Sequence, residues 1–453
     1  MTHRAGRLPN TDFSDRPIWW DDTPPSISEQ QPLPARRDVV VVGGGFTGLS
    51  AALELARSGS QVVVLEADAF GFDASARNSG GVSFGIDLTK AAKWHRWSGG
   101  QAPSIPELAR GAADSVAYME SFIFNNAIDC DYHRRGRLSC AATPRAYEIL
   151  SRRVDTFNKL FDAAATMVPR SEQATEIGSD RFFGTMVIRR SGQLNPAKLV
   201  KALVGLCEKA GARLFGDTAV RSIERANGRF TLATARGNIE ASQVVVAVNA
   251  QAARLSSAGL SSRIIPVASH IIVTETLPEA TAQALLPNMR TGADGRRVLA
   301  YFRRTPDGSR FLYGSRASPF EVSPQRSAGV LYRRMVASFP SLDGVRIGHA
   351  WGCKVAFTFD GLPHLGEING LHYVLGCNGN GVAMMNYLGY KVARRLLDGA
   401  KPTCVFDQPT FPKPPLYDGR AWFLPLAAGL YKTLDHVDAM RAGRASREQA
   451  RGG

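Results

Sequence analysis

The chain has 453 residues and 44% hydrophobic content, enough to bury a large core in two domains or in one elaborate one. No run of 18 apolar residues occurs, which argues against a membrane span, and the start Met1-Thr-His-Arg-Ala-Gly-Arg-Leu-Pro-Asn10 lacks an apolar signal core, so a cytoplasmic protein is expected. The net charge of +15 lies partly in Arg4, Arg7, Arg36, Arg37, Arg441, Arg444, Arg447 and Arg451, with no basic stripe interleaved with aromatics, so solvated charge is expected rather than a nucleic-acid surface.

In chain order, residues 1–35 carry six prolines and the pair Trp19-Trp20, and read as an extended arm whose tryptophans pack on the body. Next comes Asp38-Val-Val-Val-Val42, then Gly43-Gly-Gly45-Phe46-Thr47-Gly48, then Gln61-Val-Val-Val-Leu-Glu66. Between them Leu49, Ala52, Leu53 and Ala56 mark one face of a helix that Gly59 stops. A buried strand, a glycine turn, a helix and an acidic strand end together form a dinucleotide-binding unit. Gly43 permits the turn, Gly45 lets backbone approach a pyrophosphate, and Gly48 lets helix and strand pack closely. Glu66 is placed to accept from an adenosine ribose, and its charge repels a 2'-phosphate, which argues against NADP.

An irregular glycine-rich loop follows from Gly71 to Gly85. Helical patterns dominate 105–165, with a strand expected near 131–139. A helix runs from Pro196 toward Gly211, with strands near 213–224 and 229–234 and a buried parallel strand over Gln243-Val-Val-Val-Ala-Val-Asn249. Residues 264–275, 298–303 and 310–314 read as an antiparallel group, 323–338 as a helix and 347–358 as a strand. Tyr373-Val-Leu375 then leads through Gly376-Cys-Asn378-Gly379-Asn380-Gly381 into a helix with apolar positions Val382, Met385, Val392 and Leu396. A nicotinamide enzyme needs no such second glycine turn. A flavin does, because negative charge developing at N1 and the C2 carbonyl is stabilised by a helix N-terminus. The six cysteines, at 130, 140, 207, 353, 377 and 404, have no metal-binding spacing and read as free thiols, and no metal is expected.

Four motifs carry a resemblance over roughly residues 36–400: Gly43 to Glu66; Gly71-Phe-Asp-Ala-Ser75-Ala-Arg77-Asn78-Ser79-Gly80-Gly81; Asp360-Gly-Leu-Pro-His364-Leu-Gly366; and Gly376 to Gly381. The chain resembles the FAD-dependent D-amino acid oxidase superfamily, nearest its gamma-glutamylputrescine oxidase branch. That implies an α/β (α+β overall) architecture, with a Rossmann-like FAD-binding domain of the glutathione-reductase type and an antiparallel-sheet substrate domain. The expected division is an arm over 1–35, a discontinuous FAD-binding domain over 36–90, 190–260 and 350–400, a substrate domain over 91–189 and 261–349, and an extension over 401–453. It also implies oxidation of the carbon–nitrogen bond of a small amine or amino acid by hydride transfer to flavin N5. The FAD-binding set is then Gly43, Gly45, Phe46, Thr47, Gly48, Glu66, Ala67, Ser75, Arg77, Asn78, Ser79, Gly80, Val220, Asn249, Gly376, Asn378, Gly379, Asn380, Gly381 and Val382. The chain departs from the family at Ala76, where glycine is usual, and at Asn378 and Asn380, where serine and histidine are usual.

Amine oxidation on a flavin depends on positioning and on an uncharged amine more than on catalytic side chains. The candidates are Lys354, since a lysine near flavin N5 can activate oxygen electrostatically while a solvated sheet edge is the alternative, Tyr301 and His270 on strands of the substrate domain, and Arg303, on the strand where glycine oxidase relatives hold the substrate carboxylate. On strands Lys354 faces away from Cys353, and Arg303 away from Arg304. Cys353 stands seven residues before Asp360, the spacing of the flavin-linked cysteine in sarcosine oxidase relatives; a covalent link and a free thiol both stay open. The third motif places His364 near the flavin, and Asn380 either donates to the flavin or caps its helix. Two other functions remain open. One is a flavin oxidoreductase of the transfer-RNA modification type. The other is an electron-transfer subunit held to a membrane or partner by Trp422-Phe-Leu-Pro-Leu-Ala-Ala-Gly-Leu-Tyr431.

Overall fold

The computed structural model describes residues 6–27, 31–88, 90–92, 102–255, 259–318, 320–399, 402–408 and 410–449; Arg4 and Arg451 lie outside them. Two eight-stranded sheets dominate. The first contains β1 (Arg36–Val42), β2 (Val62–Leu65), β8 (Arg213–Phe215), β9 (Val220–Ala226), β10 (Arg229–Thr234), β11 (Gly237–Val246), β17 (His364–Ile368) and β18 (Leu371–Leu375). Its order is β17-β18-β11-β1-β2-β8, and β10 and β9 continue antiparallel from β11. Strands β18, β11, β1, β2 and β8 are mutually parallel, and Val41 sits between Val64 and Val245. Val39 to Val42 are all buried, as a parallel sheet covered on both faces requires.

Helix α1 (Phe46–Arg57) buries ten of its twelve residues, more than the single apolar face its sequence suggests. The reason is packing on several sides: it lies between the sheet, α3 (Pro196–Lys209) and α5 (Gly381–Leu397), and α2 (Ile105–Asn125) packs on α5. Gly389 of α5 leaves room for the Thr47 carbonyl, and Ser50 Oγ donates to Asn386 Oδ1 at 2.8 Å. The N-terminal ends of α1 and α5 are therefore held side by side.

The second sheet contains β4 (Arg137–Cys140), β5 (Ala165–Val168), β6 (Thr185–Ile188), β12 (Ile265–Thr274), β13 (Thr291–Asp294), β14 (Ala300–Arg304), β15 (Phe311–Ser315) and β16 (Ile347–Phe357), in the order β16-β12-β15-β14-β13-β4-β6-β5. Every pair is antiparallel except β13 with β4. A two-stranded ladder, β3 (Gly81–Val82) with β7 (Gly192–Gln193), fixes the end of the glycine-rich loop. One face of the large sheet packs on α4 (Pro324–Ser338) through Ile272, Phe302, Tyr313 and Ala350 against Leu331, Tyr332 and Met335. Its other face looks toward the N-termini of α1 and α5.

The arm is anchored, not trailing. Ser14 bridges to His349, Trp19 and Trp20 are buried, and Trp19 Nε1 donates to the Asn78 carbonyl at 2.9 Å. Among the described residues no helix is long and apolar enough to cross a membrane.

Candidate active site

The turn after β1 leaves no space for side chains. Gly43 has φ +109°, and a β-carbon there meets the Ala247 carbonyl oxygen at 2.7 Å; one on Gly45 meets Ser75 Oγ at 2.7 Å. A β-carbon on Gly48 overlaps the Gly43 carbonyl. No side chain caps α1, so most of its first-turn N–H groups stay open to an anion, while the Phe46 N–H donates to Ser75 Oγ at 3.0 Å. Glu66 accepts from the N–H groups of Gly44 at 2.5 Å and Asp68 at 3.1 Å. Burial pushes its carboxyl above the ordinary range despite those two donors. With Gly43, Ala67 and Val220 it lines a hollow that shares Gly45, Ser75 and Asn249 with the main cleft.

The main cleft, open to solvent, is bordered by Gly45, Phe46, Thr47, Ser75, Asn78, Ser79, Asn249, Asn378, Gly379, Asn380, Gly381 and Val382. Thus the first turn of α1, the 71–81 loop and the second glycine turn meet at one place. Helix α5 also starts without a side-chain cap. Asn380 does not cap it; its Oδ1 lies 3.5 Å from Ser83 Oγ instead. Asn249 Oδ1 accepts from Gly376 N–H at 3.1 Å, and Asn378 uses its amide on Gly376 and Thr358. Gly48, Arg77, Gly80 and Gly376, expected to hold FAD, border neither the main cleft nor the adjoining hollow. Arg77 donates to the Gly352 carbonyl at 3.0 Å and stacks on Trp20 and Phe72.

Strand alternation decides which candidates face the cleft. Paired positions Cys353 and Ser269, and Tyr301 and Ala293, lie on its floor. Lys354 and His270 lie on the opposite face, so both expectations are corrected. Lys354 Nζ pairs with Glu321 at 2.8 Å, and His270 is buried, with its imidazole pushed down by that burial. His364 does not border the cleft either: it hydrogen-bonds buried Asp360 at 2.8 Å and stacks on Phe411. Tyr301 Oη lies 3.1 Å from Ser269 Oγ, and burial pushes both the Tyr301 hydroxyl and the Cys353 thiol up. Arg303 faces inward, yet its guanidinium is engaged with the carbonyls of Ser79, Leu194 and Arg304, each at 2.9 Å; burial pushes it down to about 9.

Two arginines on the cleft wall escaped sequence reasoning. Arg137 and Arg316 both line it, and Arg316 lies 4.7 Å over the Phe357 ring. Neither belongs to a motif; only the strand register, extending the alternation of Leu299 and Tyr301 to a neighbouring strand end, brings Arg316 to the same face. Among the described residues lining the cleft there is no Asp, Glu, His or Lys.

The profile of the family described as FAD dependent oxidoreductase matches residues 38–395. The chain belongs to that family, and FAD is its cofactor. It is 28% identical over 415 residues to gamma-glutamylputrescine oxidoreductase of Escherichia coli (strain K12), covering 88% of this chain and 93% of that protein. It is 29% identical over 392 residues to the probable oxidoreductase OrdL of Haemophilus influenzae, covering 84% and 88%. The crystal structure of glycine oxidase from Geobacillus kaustophilus superposes with a TM-score of 0.70 at 25% identity, covering 84% of this chain and 99% of that one. The residues present fit the cofactor: two uncapped helix N-termini and a glycine cradle that any β-carbon fills converge on one cleft.

Proposed function

We propose that this protein oxidises a carbon–nitrogen bond of an amine or amino acid. The observation that carries the reading is the meeting of the N-termini of α1 and α5 at one cleft floored by the second sheet. FAD, when bound, supplies the hydride acceptor, N5 of its ring. Gly45, Phe46, Thr47 and Ser75 cradle its pyrophosphate, and Glu66, Ala67 and Val220 take its adenosine. Asn78, Ser79, Asn249 and the turn Asn378 to Val382 border its ring, where the open N–H groups of α5 favour negative charge. The first sheet serves as an FAD-binding domain of the glutathione-reductase type and the second, with Ile347–Phe357, as the substrate domain.

Among the described residues the cleft wall carries no carboxylate or imidazole base, so the substrate amine reacts in its uncharged form. Cationic arginines on the wall favour that form by disfavouring a nearby ammonium. Tyr301 Oη and Ser269 Oγ face the cleft as the polar pair that orients the amine. The named substrate of the Escherichia coli relative gives the first assay. Aerobic turnover of gamma-glutamylputrescine, but not of putrescine, supports a carboxylated amine of that kind. Turnover of a simple amino acid alone removes it and leaves the broader class.

A further inference from the structure

Arg137 and Arg316 enter the cleft from separate strands. Arg137 begins β4 and Arg316 follows β15, with β13 and β14 between them; the register sets Arg137 level with Arg303 and Arg316 level with Leu299, so their backbones are three strand spacings and four residues apart, about 19 Å. Arg137 also lines an adjoining hollow beside Ser83 and Asn380, whereas Arg316 lines another beside Val267 and Tyr431. They mark different ends of the cleft, and Tyr301 lies on β14 between them.

Among the described residues neither guanidinium makes a hydrogen bond or an ion pair. Arg316 has only the ring face of Phe357. Leaving a half-buried cation without a counterion is costly, and here two such cations look into the same space. Arg303, the third arginine on the wall, has its Nε and Nη1 held by backbone carbonyls and keeps only Nη2 unpaired, so it is less open to a substrate anion than the other two. A carboxylate matches the planar fork of each guanidinium.

We infer that the substrate is an amine bearing two carboxylates, one on each side of the oxidised nitrogen, with Arg137 holding one and Arg316 the other. The inference rests on the proposed amine oxidation and narrows it. Gamma-glutamylputrescine has a single carboxylate and satisfies one arginine; an N-(carboxyalkyl) amino acid satisfies both.

The test is titration of the holoenzyme, followed through the visible flavin spectrum, with glutarate against butyrate. In parallel, iminodiacetate is compared with N-methylglycine as the anaerobic reductant. The expected result is a Kd for glutarate about tenfold or more below that for butyrate. Arg137→Gln and Arg316→Gln should each shrink that ratio to about twofold, and the Arg→Lys variants, which keep the charge but lose the planar fork, should retain an intermediate ratio above that of the glutamine variants. Equal affinities in the wild type, or a ratio unchanged in both glutamine variants, overturns the inference. If a variant fails to hold FAD, the wild-type ratio and the lysine variants still decide. Preference for glutarate without bleaching by any amine instead refutes amine oxidation while leaving the paired anion sites standing.

Discussion

The Arg303 guanidinium donates to the Ser79 carbonyl at 2.9 Å from a side chain only 1% exposed. This joins the floor of the second sheet to the loop that borders the flavin end of the cleft, and the same nitrogen also holds the Leu194 carbonyl. Arg303→Met leaves both carbonyls short of a donor. It should destabilise the protein by about 3 kcal/mol and weaken FAD retention, while leaving the ratio of KM values between substrates nearly unchanged. Thermal melts with bound-FAD measurement and a two-substrate KM comparison check this. A selective rise in KM for carboxylated substrates at full FAD content would instead make Arg303 a substrate ligand.

Gly45→Ala places a methyl group against Ser75 Oγ, at the mouth of α1. FAD affinity should fall by about tenfold or more, and equilibrium dialysis measures it. Added FAD should restore activity, because the sheet and helix around the turn remain in place.

The Cys353 thiol is buried and pushed up by that burial, with the thiolate disfavoured. The flavin should therefore leave the protein on acid precipitation, and Cys353→Ala should keep a normal flavin content. Flavin that stays with the precipitated chain in the wild type and leaves in Cys353→Ala would establish a covalent link.

Burial keeps Tyr301 and Cys353 protonated and burial lowers Arg303 only to about 9, so none of these three acts as a titrating base near neutrality. The rising limb of kcat/KM with pH should track the substrate's own amine, moving with the amine pKa across a substrate series. A limb that stays at one pH for every substrate would point to a base on the protein.

Asp294, at the end of β13, accepts from the Ala300 N–H at 2.9 Å. Burial raises its carboxyl to about 6, above the unfolded value near 3.9. The native state thus holds the proton more tightly, and this contribution to stability is present below pH ~3.9 and lost as pH rises through about 6. Asp294→Asn keeps an acceptor without the charge. Relative to wild type it should gain about 1 kcal/mol of stability between pH 5 and 7.5, read from paired unfolding curves.

The first glycine turn was legible because backbone geometry imposes it: a β-carbon at 43, 45 or 48 collides with a neighbouring carbonyl or with Ser75, whatever the ligand. The second glycine turn was legible for the same reason. Facing was harder. Alternation separates Cys353 from Lys354 and Arg303 from Arg304, but which member of each pair looks inward depends on α4 covering the other face, a long-range fact. His364 looked close to the flavin because its motif is adjacent in sequence; the hairpin of β17 with β18 turns it toward Asp360 and Phe411 instead. Arg137 and Arg316 belong to no motif, and only the register of four strands brings them to one cleft.

The most direct measurement is anaerobic mixing of the purified yellow protein with a panel of secondary amines, polyamine conjugates and amino acids, recording the visible flavin absorbance. The account predicts that at least one of them bleaches the flavin and loses two hydrogens across its C–N bond in equal amount. A flavin that dithionite bleaches but that no member of the panel reduces would contradict it.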